Sequence, residues 1–212
     1  MNQSNLKIAA LLLLALSGLY HGQAMAGAKN AQSSGVKLQQ AYVWYDGDRE
    51  RQIWLNPELV AEFHTGKGNA NQSSMKSVYA DAVQVPKRYG SVSIWRLGAG
   101  TSSDAAISKL SNISQPGKYS PVLHDGPHTK GRMRALPGNI IVYLDPAWNS
   151  EAVNAWVSKH QLEIVKKLEI GPNIYVIKTG PGLEALNTAN KLYKSGEVVA
   201  AFPDWWEEKT TR

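Results

Sequence analysis

The 212-residue chain contains no cysteine. No disulfide can staple it, no thiolate can serve as nucleophile or metal ligand, and no lipobox thiol can carry a lipid. Stability therefore has to come from an apolar core, and a hydrophobic fraction of 43% supplies one. Phenylalanine is scarce, two residues against seven tryptophans, so indole rings are the large aromatic pieces available for packing. Strong charge of one sign is missing too. The formal net charge is +6, and its densest stretch is Lys130, Arg132 and Arg134. Three cations in a Gly/Pro-rich segment read as a solvated linker. A nucleic-acid surface needs a larger cluster with interleaved aromatics, so no nucleic-acid partner is expected.

Long hydrophobic runs are also lacking. The longest, residues 8–16, falls short of the roughly 20 apolar residues that a membrane span requires. It follows Lys7 and precedes Ala24-Met25-Ala26, which is the charged, apolar, small-residue order of a cleavable export signal. Residues 1–26 are expected to be a signal peptide cut after Ala26. The mature protein would then have no membrane anchor, and it would work in the periplasm or outside the cell.

Familiar nucleophile and phosphate-loop motifs are missing as well. There is no Gly-x-Ser-x-Gly elbow and no Gly-rich phosphate loop. Of the five histidines, His21 lies in the signal, and His64 and His160 stand alone. His124 and His128 are four apart with Asp125 between them. Gly126-Pro127 forbids a helix there, so the pair reads as a solvated loop and not as a metal site. Glu207-Glu208 reads as a solubilising end. The expectation is a protein without catalytic residues, metal or cofactor.

What the chain does have is patterning. Residues 27–40 are small and polar and read as a disordered leader. Tyr42-Val43-Trp44-Tyr45, the turn Asp46-Gly47-Asp48 and a return over 51–55 predict a hairpin. Strands are predicted at 58–64, 83–85 and 91–97, and a helix capped by Ser102 or Ser103 reaches Leu110. Residues 111–138 read as loop around a strand-like 119–123. From 139 to 203 the signals are stronger: strand 139–144, helix from Asn149 or Ser150 to His160, strands 163–168 and 173–178, helix 183–194 stopped by Gly196, and strand 198–202. That β-α-β-β-α-β order predicts an α+β fold with a ferredoxin-like antiparallel sheet and helices on one face.

The two halves match each other. Gly98 and Gly180 each follow a strand, and so do Pro121 and Pro203. The step from Gly98 to Gly180 equals the step from Pro121 to Pro203, and the step from Leu59-Val60 to Ile140-Ile141 is shorter by a single position. Near-constant offsets predict two tandem copies. They divide the mature chain into a less regular first repeat with its hairpin (41–126), a linker (127–138), a second repeat (139–204) and a tail (205–212).

Residues 138–205 resemble the pro-domain of subtilisin-type serine proteases. The resemblance rests on Ile140 to Leu144, the helix near 151–159, Leu162-Glu163-Ile164-Val165, Ile174-Tyr175-Val176-Ile177, the helix around 186–192, and Glu197-Val198-Val199-Ala200-Ala201-Phe202-Pro203-Asp204. Residues 42–121 resemble the first of two tandem copies found ahead of some bacterial subtilases. The chain departs from that pattern by stopping at Arg212, with no catalytic domain after Pro203. The resemblance implies a protein acting in trans on a separate subtilisin-type protease, as folding helper or inhibitor. It further implies that the tail Trp205, Trp206, Glu207, Glu208, Lys209, Thr210, Thr211 and Arg212 enters the protease cleft. In that picture the indoles anchor the tail and Arg212 approaches the specificity pocket. Packing of Trp205-Trp206 against the protein's own sheet is the competing expectation. A non-catalytic envelope binding module of ferredoxin-like fold, or the remnant of a protease precursor, is the alternative function.

Overall fold

Asp46-Gly47-Asp48 separates two β-favouring runs, and the chain reverses there. Strand β1 (Ala41–Asp46) pairs antiparallel with β2 (Arg49–Phe63), from Ala41↔Trp54 to Asp46↔Arg49. Gly47 takes φ +63°, a backbone region that glycine enters at no steric cost. β2 runs unbroken for 15 residues, where the sequence suggested two strands. The Asn56-Pro57 signal interrupts the ladder without ending the strand. A proline has no N–H to give, so it is tolerated where pairing lapses.

The computed structural model describes residues 36–64, 74–86, 90–113 and 117–209. The expected signal peptide, its cleavage site at Ala26 and most of the leader lie outside them. After β2 come α1 (Ser74–Val78), β3 (Val83–Gln84), β4 (Val92–Arg96), α2 (Ser103–Ser111), β5 (Lys118–His124) and β6 (Met133–Ala135). The second half holds β7 (Ile140–Tyr143), α3 (Ser150–Lys159), β8 (Ile164–Lys167), β9 (Ile174–Ile177), α4 (Leu183–Lys194), β10 (Ala200–Pro203) and β11 (Trp206–Glu207). The fold is α+β, with two antiparallel sheets and four helices among the described residues. Caps form where the sequence placed them: Ser102 accepts from the Ala105 N–H, and Asn149 from the Ala152 N–H. Gly196, at φ +73° just past the Ser195 cap, ends α4.

The larger sheet has the order β11-β6-β5-β2-β4-β3, with β1 also paired to β2; the smaller has the order β10-β7-β9-β8. Within the larger sheet, β5-β2-β4-β3 repeats the strand order of the smaller one. Cross-strand rows can be followed in both. Gln84, Trp95, Val60 and Pro121 are successive partners across β3, β4, β2 and β5. Ile164, Ile177, Ile140 and Pro203 are successive partners across β8, β9, β7 and β10.

Three cores follow from strand alternation. The largest joins Ile140, Val142, Ile177 and Ala201 of the smaller sheet to α3 and α4, and also takes in Ile53, Leu55 and Leu123 from the larger one. A second packs Val60, Trp95 and Tyr119 under α1 and α2 through Met75, Ala106 and Leu110. The third lies on the larger sheet's opposite face, with Leu59, Ala61, Ile94, Val122 and Ala135. β2 thus contributes to all three. Residues 127–138, expected as a linker, include β6, and Arg134 within them is mostly buried. That burial depends on β11, the last strand of the chain, so local composition could not signal it.

Candidate functional site

The tail starts on the protein's own sheet. Trp205 packs against the largest core and meets Trp44 of β1 edge-on, with ring centroids 5.4 Å apart. Such a pair contributes about 0.5–1.5 kcal/mol beyond its area burial. Trp206 and Glu207 form β11, opposite Ala135 and Arg134 of β6. Trp206 packs on the third core. The Glu208 N–H donates to the Met133 carbonyl at 2.9 Å, and the Glu208 carboxylate accepts from the Met133 N–H at 3.5 Å.

Arg134 holds this arrangement together. Its guanidinium lies 5.5 Å from the ring centroids of both Trp44 and Trp205. It donates to Asp125 at 2.8 and 3.3 Å and makes a short contact with Glu207. Arg132 reaches the same Glu207 at 3.4 Å. With only 13% of the Arg134 side chain exposed, these pairs are less screened than ordinary surface ion pairs. One arginine therefore ties together the hairpin strand β1, strand β6 and the tail. Among the proposed tail residues, Trp205 to Glu208 are engaged internally and Lys209 is exposed. Thr210, Thr211 and Arg212 lie outside the described residues.

The smaller sheet has a second apolar face, on the side away from the helices. Ile140, Val142, Tyr175 and Ile177 point to the helices. Ile141, Tyr143, Ile174, Val176 and Phe202 alternate with them; Ile174 and Val176 are buried, and Ile141, Tyr143 and Phe202 are half-buried. Tyr143 and Phe202 stack edge-on across β7 and β10 at 5.6 Å. Val165 on β8 and Val199 ahead of β10 are 49% and 60% exposed. Asp204, just past β10, is held above the usual carboxylate range by burial, with the Lys166 charge pulling the other way.

The histidines separate. His124 is not in a solvated loop: β5 extends through it, and it is 1% exposed. Its Nδ1 contacts the Gly131 carbonyl at 2.8 Å. A carbonyl only accepts, so Nδ1 carries the hydrogen and Nε2 accepts from the Asn56 amide at 3.2 Å. Burial pushes the His124 pKa down, and the Gly131 hydrogen bond opposes that. His128 instead forms an isolated bridge with Lys37. Among the described residues no three His, Asp or Glu side chains gather to hold a metal. No described helix is long and apolar enough to cross a membrane. Sequence reasoning missed Asn56 and Arg134; Asn-Pro inside an aliphatic run was the available signal for the first.

Comparison with known proteins returns no matching family, curated protein or solved structure.

Proposed function

We propose that the protein is an exported, non-catalytic, pro-domain-like partner that acts in trans on a separate subtilisin-type serine protease, as folding helper, inhibitor or both. The observation that carries this reading is the pair of matched rows, Gln84-Trp95-Val60-Pro121 and Ile164-Ile177-Ile140-Pro203. Each belongs to a β-α-β-β-α-β segment whose first and third strands are central. This supports two tandem ferredoxin-like copies. The step from Trp95 to Ile177 equals the step from Pro121 to Pro203, and the step from Val60 to Ile140 is shorter by two positions. The rows set Val60 against Ile140, one position off the sequence alignment of Leu59-Val60 with Ile140-Ile141.

The second copy is the segment that resembles a subtilase pro-domain, and its helix-free face is apolar. In this reading that face docks on the protease through the half-buried Ile141, Tyr143 and Phe202 and the exposed Val165 and Val199. One face of a small sheet with an extended tail can approach the roughly 1,600 Å² of a standard interface. A strand in the cleft gains backbone pairing by edge addition. With β11 in place the cleft strand is 209–212, and residues 205–208 join it only when β11 leaves β6. Binding the native protease at a hundredfold excess over Kd stabilises it by about 2.7 kcal/mol, which accounts for folding assistance through the same contact.

The test is a pull-down with residues 27–212 from the producing cell's envelope and medium. Recovery of a subtilisin-type protease whose activity is suppressed in the complex is the expected result. If no protease is bound and none inhibited, the reading fails. A second reading, an envelope binding module with no protease partner, is favoured by one observation: the first four tail residues already have partners within the protein.

A further inference from the structure

β2 has two edges. β5 occupies one of them, pairing at Trp54 to Asn56 and again at Val60 to Phe63. The other edge is shared, with β1 along Arg49 to Trp54 and β4 along Leu59 to Phe63. Between these neighbours lies a gap at residues 55–58, bounded by the Leu55 N–H to Gln40 carbonyl and Leu97 N–H to Glu58 carbonyl bonds. On the β5 side the ladder also lapses, because residues 57–59 have no partner between Asn56↔Val122 and Val60↔Pro121. Bulges of this kind recur beside binding and active sites.

A cavity of about 830 Å³ opens at this gap, within the range of small-molecule sites. Leu38, Leu55, Leu59, Val85 and Met133 give it apolar walls. The chain brings them from separate segments, and Leu38, Leu55 and Leu59 are otherwise buried. The polar part is ordered. Asn56 accepts from the Glu58 N–H at 3.0 Å and donates one amide hydrogen to His124, and both side chains line the cavity. Of the charged residues there, Lys37 and Arg96 outnumber Glu58, which pairs with Arg96 at 3.3 Å.

We infer that this cavity binds a small anionic amphiphile. The apolar body lies against Leu55, Leu59, Val85 and Met133, and the negative head meets Lys37 and Arg96 at the mouth. The second hydrogen of the Asn56 amide gives a further donor to an acceptor on the ligand. The site's link to the tail is Met133, whose backbone pairs with Glu208, and the site stands whether or not a protease partner exists.

The test uses 1-anilinonaphthalene-8-sulfonate, which has an apolar body and an anionic head, as a fluorescent probe on the mature protein. Dodecanoate and dodecanol serve as competitors. One saturable site per chain is expected, with dodecanoate displacing the probe at lower concentration than dodecanol. Val85→Trp and Leu59→Trp, which fill the cavity, should each weaken probe binding by about tenfold or more. Val85 is only half-buried, so its variant decides the matter if Leu59→Trp fails to fold by circular dichroism. Arg96→Gln should weaken dodecanoate roughly fivefold, the scale of an exposed charge contact, and leave dodecanol unchanged. Non-saturable binding would overturn the inference. So would full binding in folded Val85→Trp together with loss in Val199→Lys, which would move the probe to the exposed Val199 on the smaller sheet. Equal potency of dodecanol and dodecanoate would overturn the anionic head.

Discussion

The two sheets share an order over four strands, yet the interiors beneath them differ in chemistry. Two residues on from the matched row, β2 presents Glu62 opposite Tyr119, whereas β7 presents Val142 opposite Ala201. Glu62 is 4% exposed and accepts from the Trp95 indole at 2.8 Å and the Tyr119 hydroxyl at 3.2 Å. The first half therefore holds its sheet through apolar cores that also enclose a carboxylate accepting from two aromatic donors. The second does so through aliphatic contact with longer helices, 10 and 12 residues against 5 and 9. The same strand order is compatible with both, because pairing runs through the backbone while the interior needs only matched volume and satisfied polar groups.

This contrast can be broken from either side. The largest effect is expected in the aliphatic half: Ile177→Ala removes a fully buried side chain shared with α3 and α4 and should cost about 2–5 kcal/mol. Urea unfolding would measure it. Loss of a single cooperative transition, in place of a shift of its midpoint, would mean that the halves unfold separately. The polar half comes next. Glu62→Val, which copies the second half's residue into the first, should cost about 1–3 kcal/mol for each donor left unsatisfied. A neutral result would show that the carboxylate is not needed to hold Trp95 and Tyr119. The smallest effect is assigned to Asp204, which follows Pro203 as the buried Val122 follows Pro121. Its folded pKa is raised by burial, so folding favours the protonated form. That contribution is complete below the ordinary value of 3.8 and is lost as pH rises through the folded value. Asp204→Asn should therefore be slightly stabilising at neutral pH, with the gain vanishing in acid. Parallel thermal melts at pH 3 and pH 7 would reveal a pH-independent difference if burial is not the cause.

His124 titrates in the opposite sense. Its pKa is depressed, so its contribution is present above the ordinary histidine range and is lost as pH falls through the folded value. The protein should lose stability on mild acidification, and His124→Gln, measured in the same melts, should flatten that slope.

The second half was the more readable in the sequence because its signals are local. Ile140 to Tyr143 is an aliphatic run, Asn149 caps its helix, and Gly196 ends the next. In the first half the information is shared between distant segments. Asn56-Pro57 looks like a strand end, but β1 and β4 bridge the site from either side. His124 sits just before Gly126-Pro127, so its burial was hidden behind a turn signal. Arg134 looks like a linker cation until β11 arrives to pair with β6. For the tail, the competing expectations were intramolecular packing and entry into a protease cleft. Residues 205–208 adopt the first.

The length of β2 also bears on how the chain comes to be folded. At about 3.3 Å per residue, this one strand reaches from the seat of α4 to the far core under α2. Its hairpin partner β1 is fastened to α4 by the Asn190 side chain donating to the Val43 carbonyl at 2.7 Å, 147 residues away in sequence. Tyr45 is likewise stacked on Tyr193 at 4.4 Å. The earliest strand thus waits for one of the last helices. Contacts of such separation slow folding, because the loop must be closed before they contribute. During synthesis the aromatic edge of β1 stands uncovered, able to pair with other strands, until α4 has been made.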